Sequence, residues 1–286
     1  MRFVCALILV AGLALPAQAE DNGRGWSFSE RFNGSSNSGG VVTKAETALG
    51  YSFDSHVSTY AGVPFYFVNL SSTAAAAAAS GTSGWMSGVG NAFLGFRANV
   101  KGEVVNYTSN LEFTAPTGDK SRGFSTGRVT ADWTNTFSGK VSALTPFGSV
   151  GIANTVSDTA FFVRPFSSLG VVGHFEGGAT YDLLRAARIG ASVYAVRGSG
   201  EQRIISKLVE SQPASTTGSS SGPNPNRVFE KRHETISQAE IVNDHGFSTW
   251  FGVSPRPEVD FHAGYSRSVN YDFNTFFFGV GFHVGK

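Results

Sequence analysis

Cysteine is almost absent from this chain of 286 residues: Cys5 is the single cysteine, and it lies in the first segment. That segment has a positive start at Arg2, an apolar stretch over 3–15 and a small-x-small pattern ending at Ala19, as a cleaved signal peptide has. The apolar stretch is shorter than the ~20 residues of a spanning helix, which disfavours a retained anchor. We therefore expect residues 1–19 to be removed and the mature protein, 20–286, to have no disulfide or thiol chemistry.

Charge is scarce and evenly balanced. Charged residues make up 15% of the chain, with 22 Lys and Arg against 21 Asp and Glu. A balance of this kind gives no basic field for nucleic acid and no acidic field for bulk cation storage. After residue 19 the sequence also lacks any apolar run long enough for a membrane helix, which excludes a helical membrane protein.

Motifs of soluble enzymes are missing from the mature chain: it has no P-loop, Rossmann glycine pattern, Cys/His zinc pattern or nucleophile elbow. We therefore predict no cofactor, no metal site and no enzymatic activity. Two i, i+2 pairs, His174 with Glu176 and Asp260 with His262, share one strand face each and keep metal binding or catalysis open as alternatives. An outer-membrane lipid hydrolase with a serine and a histidine on the barrel is the enzymatic alternative.

Aromatic residues and glycine are abundant, with 25 Phe, 35 Gly and 13% aromatics in total. Apolar and polar residues alternate with period two along many short segments, which predicts strands with one apolar and one polar face. In the second predicted strand, for example, Val41, Leu49 and Phe53 alternate with Lys44 and Glu46. The predicted strands are 25–33, 41–53, 56–69, 91–101, 105–113, 129–137, 146–156, 168–180, 188–197, 246–254, 259–265 and 276–284.

Connections between these segments alternate between short and mostly longer. Only a closed barrel lets strands cross lipid with every backbone group paired, and outer-membrane barrels place short turns in the periplasm and long loops outside. The sequence therefore predicts an all-β, up-and-down antiparallel transmembrane barrel of about 12 strands, with 10 or 14 as alternatives and a secreted β-sandwich as the second fold. The predicted short breaks are near 54–55, 102–103, 138–145, 181–187 and 255–258, and the longer ones near 34–40, 70–90, 116–127, 157–167 and 198–245.

The connection 198–245 is long for a compact domain, so it is either functional or disordered. Two arrangements are compatible with its sequence: a plug that folds into the lumen and a flap that lies outside. The alanine run 74–79 is too short for a stable helix by itself and indicates a tolerated insertion. Aromatic residues near strand ends or on the apolar face are expected in the interface belts of a membrane barrel. These are Trp26, Tyr51, Trp133, Trp250 and Tyr265.

Polar residues opposite the apolar register are the candidate lining of a pore. Both signs of charge occur among them, which is equally compatible with cross-strand ion pairs that fill a small interior. One-sign rings, the pattern of a bulk-ion pore, are absent from this set. The candidate pore residues are Lys44, Glu46, Arg97, Asn99, Asn106, Asn110, Glu112, Arg128, Asp132, His174, Glu176, Arg188, Asp260 and His262.

Two segments resemble a known family. The stretch 88–97, Gly-Val-Gly-Asn-Ala-Phe-Leu-Gly-Phe-Arg, and the stretch 110–119, which ends in Pro116, Thr117, Gly118 and Asp119, are similar to the outer-membrane barrels of the meta-pathway phenol-degradation family. The family pattern has Asp at the position of Asn91, and this chain does not end on a terminal aromatic residue. The resemblance implies passage of small hydrophobic, often aromatic, molecules, and it implies no catalytic residues. By themselves, a proline at a strand end and a following Gly-Asp predict a turn.

These observations predict an integral outer-membrane channel for diffusion of small, hydrophobic or aromatic, molecules. The expected partners are outer-membrane lipid, the barrel assembly machinery and a small hydrophobic solute, with no nucleic acid. The alternative is a non-transporting surface barrel whose loops bind a partner or ligand.

Overall fold

The computed structural model describes residues 24–70, 85–158, 163–208 and 233–285. The predicted signal peptide, the alanine run and residues 209–232 of the long connection lie outside these ranges. Within them the chain forms strands and two short 3-10 helices, at Lys120–Arg122 and Ala239–Val242. The strands are β1 (Gly25–Asn37), β2 (Gly40–Ser52), β3 (Val57–Leu70), β4 (Trp85–Val89), β5 (Phe93–Lys101), β6 (Asn106–Thr114), β7 (Thr130–Ser138), β8 (Leu144–Ala153), β9 (Phe166–Leu184), β10 (Ala187–Ser206), β11 (Glu234–Ser237), β12 (Asp244–Arg256), β13 (Val259–Ser268) and β14 (Phe273–Gly285).

Twelve of the described strands form one closed antiparallel barrel. Each pairs with its neighbours in the chain, β12 pairs with β10, and the pairing of β14 with β1 closes the wall. The other two are short additions: β4 pairs with the end of β3, and β11 pairs with the end of β10. The predicted fold class is confirmed, and each predicted strand corresponds to one wall strand.

The strand registers separate an outer from an inner face. Phe32 lies opposite Ala45, which lies opposite Phe65, and this row belongs to the outer face. The next row, Asn33, Lys44 and Tyr66, belongs to the inner face. Large apolar side chains stay exposed on the outside, because their solvent there is lipid. No helix among the described residues has the length and hydropathy needed to cross a membrane.

Five connections at one end of the barrel, which we call the turn end, are short: 53–56, 102–105, 139–143, 185–186 and 257–258. The opposite end, the loop end, carries the connections 115–129, 154–165 and 207–243. Several strand boundaries differ from the prediction, including those at two loop-end connections. The β1–β2 connection is only residues 38–39, and β10 continues to Ser206, so the long connection starts well after residue 198.

Two apolar clusters pack at the loop end. The larger one joins the ends of β8, β9 and β10 to the 3-10 helix Ala239–Val242 and to the start of β14, around Val172, Val196 and Tyr271. The smaller one joins the inner face of β2 and β3 to three connections. Its members are Val42, Tyr66, Val68, Phe124, Val163 and Leu208.

Candidate solute path in the barrel interior

Every candidate pore residue that lies in a strand faces inward. Residues paired across neighbouring strands share one face of the wall, and the pairings link each of these residues to the inner face that holds Lys44 and Tyr66. Arg128 is the exception, since it precedes β7 and is exposed at the loop end. The inward residues are Lys44, Glu46, Arg97, Asn99, Asn106, Asn110, Glu112, Asp132, His174, Glu176, Arg188, Asp260 and His262.

Tyr60, which is not among the predicted pore residues, organises one wall of the interior. Its hydroxyl lies 2.9 Å from both the Asn110 amide oxygen and the Glu112 carboxylate. The guanidinium of Arg97 lies 5.2 Å from the centre of the Tyr60 ring. Gly95 leaves room for this ring, because an added Cβ would lie 2.0 Å from it. The period-two alternation of β3 could have identified Tyr60, because this residue lies on the strand face opposite the apolar residues Val57, Ala61 and Val63.

An ion-pair network crosses from the wall to a connection. Lys44 Nζ lies 3.2 Å from the Glu46 carboxylate and 3.3 Å from the Asp158 carboxylate, and Arg31 lies 3.9 Å from Glu46. The Tyr66 hydroxyl donates to the same Asp158 carboxylate at 3.3 Å. Asp158 belongs to the connection 154–165, so the described part of this connection, 154–158 and 163–165, folds into the barrel.

Further contacts hold the connection 154–165 inside. The Val163 N–H donates to Ser35 Oγ at 2.9 Å, and the Arg164 N–H donates to Asp158 at 2.8 Å. The Arg164 guanidinium lies 4.0 Å from the Asp244 carboxylate, which also accepts a bond from the Tyr194 hydroxyl at 3.0 Å. These partners come from β1, β10 and β12, so the connection touches strands around the circumference. From its sequence, only the connection 198–245 is expected to form a plug, as one of two arrangements. The inward contacts just described come instead from the connection 154–165.

Lys207 and Leu208 follow β10 directly and also lie inside. Their side chains are almost fully buried, and the Lys207 N–H donates to the carbonyl of Pro165 at 2.9 Å. The start of the long connection therefore packs on 154–165 and narrows the loop end with it.

A cavity of about 250 Å³ adjoins this constriction, because Asp158 and Lys207 belong to its lining. Its lining mixes charged groups, hydroxyls and aromatic rings, and it brings Lys44, Glu46 and Glu112 together with residues that the strand pattern did not single out. Those additional residues are Arg31, Asn33, Tyr66, Asn91, Phe93, Phe124, Asp158, Phe166 and Lys207.

Asp132 and His174 lie together, as their inward positions allow, with His174 Nε2 3.1 Å from the Asp132 carboxylate. Ser157 Oγ donates to the other oxygen of that carboxylate at 2.7 Å. The carboxylate thus stands between serine and histidine, whereas a serine nucleophile needs the histidine next to its own hydroxyl. The arrangement is a hydrogen-bonded network around the Asp132 carboxylate, and it does not have the geometry of a hydrolase site.

The second i, i+2 pair lies on β13 near the turn end. Asp260 lies 3.9 Å from His262 Nδ1 and 3.6 Å from His283 Nε2. Among the described residues no group of three or more His, Cys, Asp and Glu side chains is placed to hold a metal ion.

The Pro116 to Asp119 motif fastens the β6–β7 connection to the break between β4 and β5. Thr117 Oγ1 accepts from the Ala92 N–H at 2.8 Å and donates to the Gly90 carbonyl at 3.1 Å. The Gly118 N–H donates to Asn91 Oδ1 at 3.3 Å, and Asp119 caps the 3-10 helix Lys120–Arg122. The motif therefore has a structural role at the mouth of the cavity.

Trp250 does not belong to an interface belt, contrary to the expectation from the sequence. It faces inward with 6% of its surface exposed, packs its indole over Gly190, and lies 6.3 Å from the Phe147 ring. Its position on the polar face of β12 follows from the strand register, since it shares that face with Gly252 and Ser248. By contrast, Trp26 and Trp133 are exposed on the outer face.

A closed barrel with an apolar outer face and a charged inner face is the architecture of outer-membrane β-barrels. Comparison with solved structures agrees: an outer membrane channel of the COG4313 type from Pseudomonas putida F1 matches 93% of this chain and 97% of its own, with 12% identity and a TM-score of 0.58. The NanC porin (10% identity, 89% of this chain, 98% of its own, TM-score 0.48) and the KdgM porin (8% identity, 89% and 98%, TM-score 0.47) are more distant. At such identities the likeness concerns the fold alone. No protein-family model matches the chain, and no curated protein matches it.

Proposed function

We propose that this protein is an outer-membrane channel for diffusion of small molecules, hydrophobic or aromatic in character. The observation that carries the proposal is the inner face of the closed barrel, where charged and hydroxyl side chains surround a cavity of about 250 Å³. A barrel that served only as a membrane anchor would gain nothing from such a cavity, because filling it with side chains would stabilise the wall.

The outer membrane is the proposed location. Exposed Phe28, Leu49, Phe96 and Phe278 cover the outside of the wall with apolar surface, which needs lipid around it. Lipid and the barrel assembly machinery are the partners that this location requires, and a signal peptide over 1–19 would direct the chain there.

The aromatic solute class is supported by the rings in the cavity. Tyr66 and Phe124 stack with ring centres 5.6 Å apart, and Phe93 and Phe166 also line the space. The resemblance of 88–97 and 110–119 to barrels of the phenol-degradation family favours the same class.

Single-channel recording of the refolded protein in a planar bilayer tests the proposal, with the protein-free membrane as the blank. We expect small, discrete and reproducible steps, because the loop-end constriction narrows the path. A protein that is inserted, as shown by its heat-modifiable gel band, but gives no steps under any voltage would contradict a diffusion channel.

The second candidate is a surface barrel whose loops bind a partner, and the packed loop end favours it. Val68, Val163 and Leu208 are at most 1% exposed, so the smaller cluster at this end is packed like the core of a folded domain. Under this function the inserted protein is electrically silent, and trimming its loop-end connections abolishes adhesion without changing the barrel.

A further inference from the structure

Lys207 has an unusual environment for a charged side chain. Only 2% of its surface is exposed, and it lines the interior cavity. Its ammonium donates to the carbonyl of Arg164 and to Ser167 Oγ, both at 3.2 Å, and lies 5.2 Å from the centre of the Tyr66 ring. Among the described residues, no carboxylate oxygen lies within the 4 Å of an ion pair with it.

These contacts leave the ammonium incompletely satisfied. An ammonium has three N–H donors, and the two hydrogen bonds use two of them. The partners are neutral, whereas buried charges in proteins are normally paired with an opposite charge. One N–H donor of the ammonium is therefore left for an anionic ligand on the cavity side.

The carboxylates that share the cavity supply only part of this counter-charge. Asp158 attracts the Lys207 ammonium but forms no ion pair with it within 4 Å. Asp158 and Glu46 are both engaged by Lys44, and Glu112 accepts a hydrogen bond from Tyr60. With Arg31, Lys44 and Lys207 against these three carboxylates, the lining has no net formal charge. An anion entering beside Lys207 consequently meets no excess of negative charge.

The rest of the lining defines the body of the ligand. Tyr66, Phe93, Phe124 and Phe166 are each less than a tenth exposed and give the cavity an aromatic wall. Hydroxyls of Thr126, Thr130 and other residues complete it. Sites for drug-sized ligands measure ~300–1,000 Å³, so this smaller space limits the ligand to about one ring.

We infer that the interior cavity binds a small aromatic carboxylate, whose carboxylate group pairs with the Lys207 ammonium and whose ring packs on the aromatic wall. The inference rests on the proposed channel function and narrows its solute class to single-ring anions. A neutral phenol-like solute would leave Lys207 without its counter-charge and is the weaker ligand.

Equilibrium binding to the refolded full-length protein in detergent micelles tests this, with benzoate, benzyl alcohol and acetate as probes. Benzoate and benzyl alcohol share the ring and differ in charge, and acetate has the charge without the ring. We expect benzoate to bind at least about tenfold more tightly than either, since a charged hydrogen bond contributes that much. Equal affinity for benzyl alcohol overturns the pairing with Lys207, equal affinity for acetate overturns the aromatic wall, and no binding of benzoate overturns the site.

A variant locates the site. Lys207→Met keeps the length of the side chain and removes its charge, so the preference for benzoate over benzyl alcohol should disappear. Lys140→Met is the matched control, because Lys140 is exposed at the turn end beside Asp182. A Lys207→Met protein that folds and still prefers benzoate refutes the assignment, and if it does not fold, the three-probe comparison on the unaltered protein decides. Binding is measured in micelles and conductance in a bilayer, so the two results are independent. A protein that binds benzoate but does not conduct contradicts only the proposed channel function. A protein that conducts but does not bind benzoate contradicts only the inference about the cavity.

Discussion

Lys44 and Asp158 form a buried ion pair 3.3 Å long that ties the barrel wall at β2 to the connection 154–165. Their side chains are 10% and 13% exposed, so solvent screens the pair little. The connection is held inside by this pair and by the bond from the Val163 N–H to Ser35, and it blocks part of the path.

The Asp158→Asn variant should loosen the constriction. Breaking a buried ion pair costs about 3–5 kcal/mol when the other charge is left without compensation. Lys44 keeps the Glu46 carboxylate at 3.2 Å, so the variant should lose less than that and release the connection from the wall. We expect larger or more frequent conductance steps in single-channel recordings. Asp182→Asn, which removes an exposed turn-end pair, is the control and should leave the steps unchanged. Identical recordings for both variants would show that the pair does not hold the constriction.

Benzoate binding should weaken as pH rises through about 8. Burial lowers the pKa of Lys207 to about 8, even though the nearby Asp158 carboxylate raises it, while Lys44 and Arg164 lower it further. A depressed lysine pKa means that the ammonium is charged below that value and neutral above it, so the attraction for a carboxylate is lost on the alkaline side. Besides the charged groups Asp158, Lys44 and Arg164, the titratable Tyr66 also lies against Lys207, with its ring centre 5.2 Å from the ammonium. A titration from pH 6 to pH 9.5 that shows constant benzoate affinity contradicts this.

Gly118→Ala should destabilise the loop end. A Cβ at this position would lie 2.6 Å from the Phe124 carbonyl and 3.0 Å from Gly90 Cα, and backbone atoms cannot move aside as a flexible side chain does. We expect a loss of about 1–3 kcal/mol, the usual cost of overpacking, in urea unfolding from lipid vesicles. Gly177→Ala is the control, because nothing lies within 4 Å of the Cβ that an alanine would add there. Equal losses in both variants would indicate a general effect of removing glycine.

Phe96→Arg should impair insertion. Phe96 is on the outer face of β5 with 47% of its surface exposed, and an arginine facing the hydrocarbon costs about 2–4 kcal/mol near the bilayer midplane. Asn99→Arg, on the inner face of the same strand, should fold much closer to the unaltered protein. The reversible folding equilibrium in lipid vesicles measures both. A smaller penalty at position 96 than at position 99 would reverse the assignment of the two faces.

The wall strands could be predicted because period-two alternation is a local signal that lipid and lumen impose on every strand. Prediction fails where local composition and tertiary pairing disagree. The composition around Gly198 and Gly200 indicates a loop, yet β10 passes through them with a bulge at 199–203, where buried Gln202 bonds to the carbonyls of Val171 and Ser199. Similarly, β1 extends beyond Asn33 because Gly34 accommodates the Phe278 ring.

The candidate site was only half predictable. Lys44, Glu46 and Glu112 follow from the strand register, whereas Asp158 and Lys207 belong to connections whose inward folding depends on partners distant in the chain. No periodicity marks such residues. Their position is set by cross-barrel contacts, which one sequence does not display.

β9 and β10, of 19 and 20 residues, are about twice as long as the ~10 residues that cross a bilayer. Their turn lies beside the neighbouring turns, because Tyr181 pairs with Leu144 and Ala187 pairs with Val253. Their surplus length therefore rises past the lipid at the loop end, where it supports the cluster around Val172, Val196 and Tyr271. That cluster is stabilised by the exclusion of water from apolar side chains, whereas the spanning part of the wall is stabilised by the surrounding lipid. The protein therefore has two regions whose stability depends on different solvents. We therefore expect urea to unfold the loop-end cluster first and the membrane-spanning parts of the strands later.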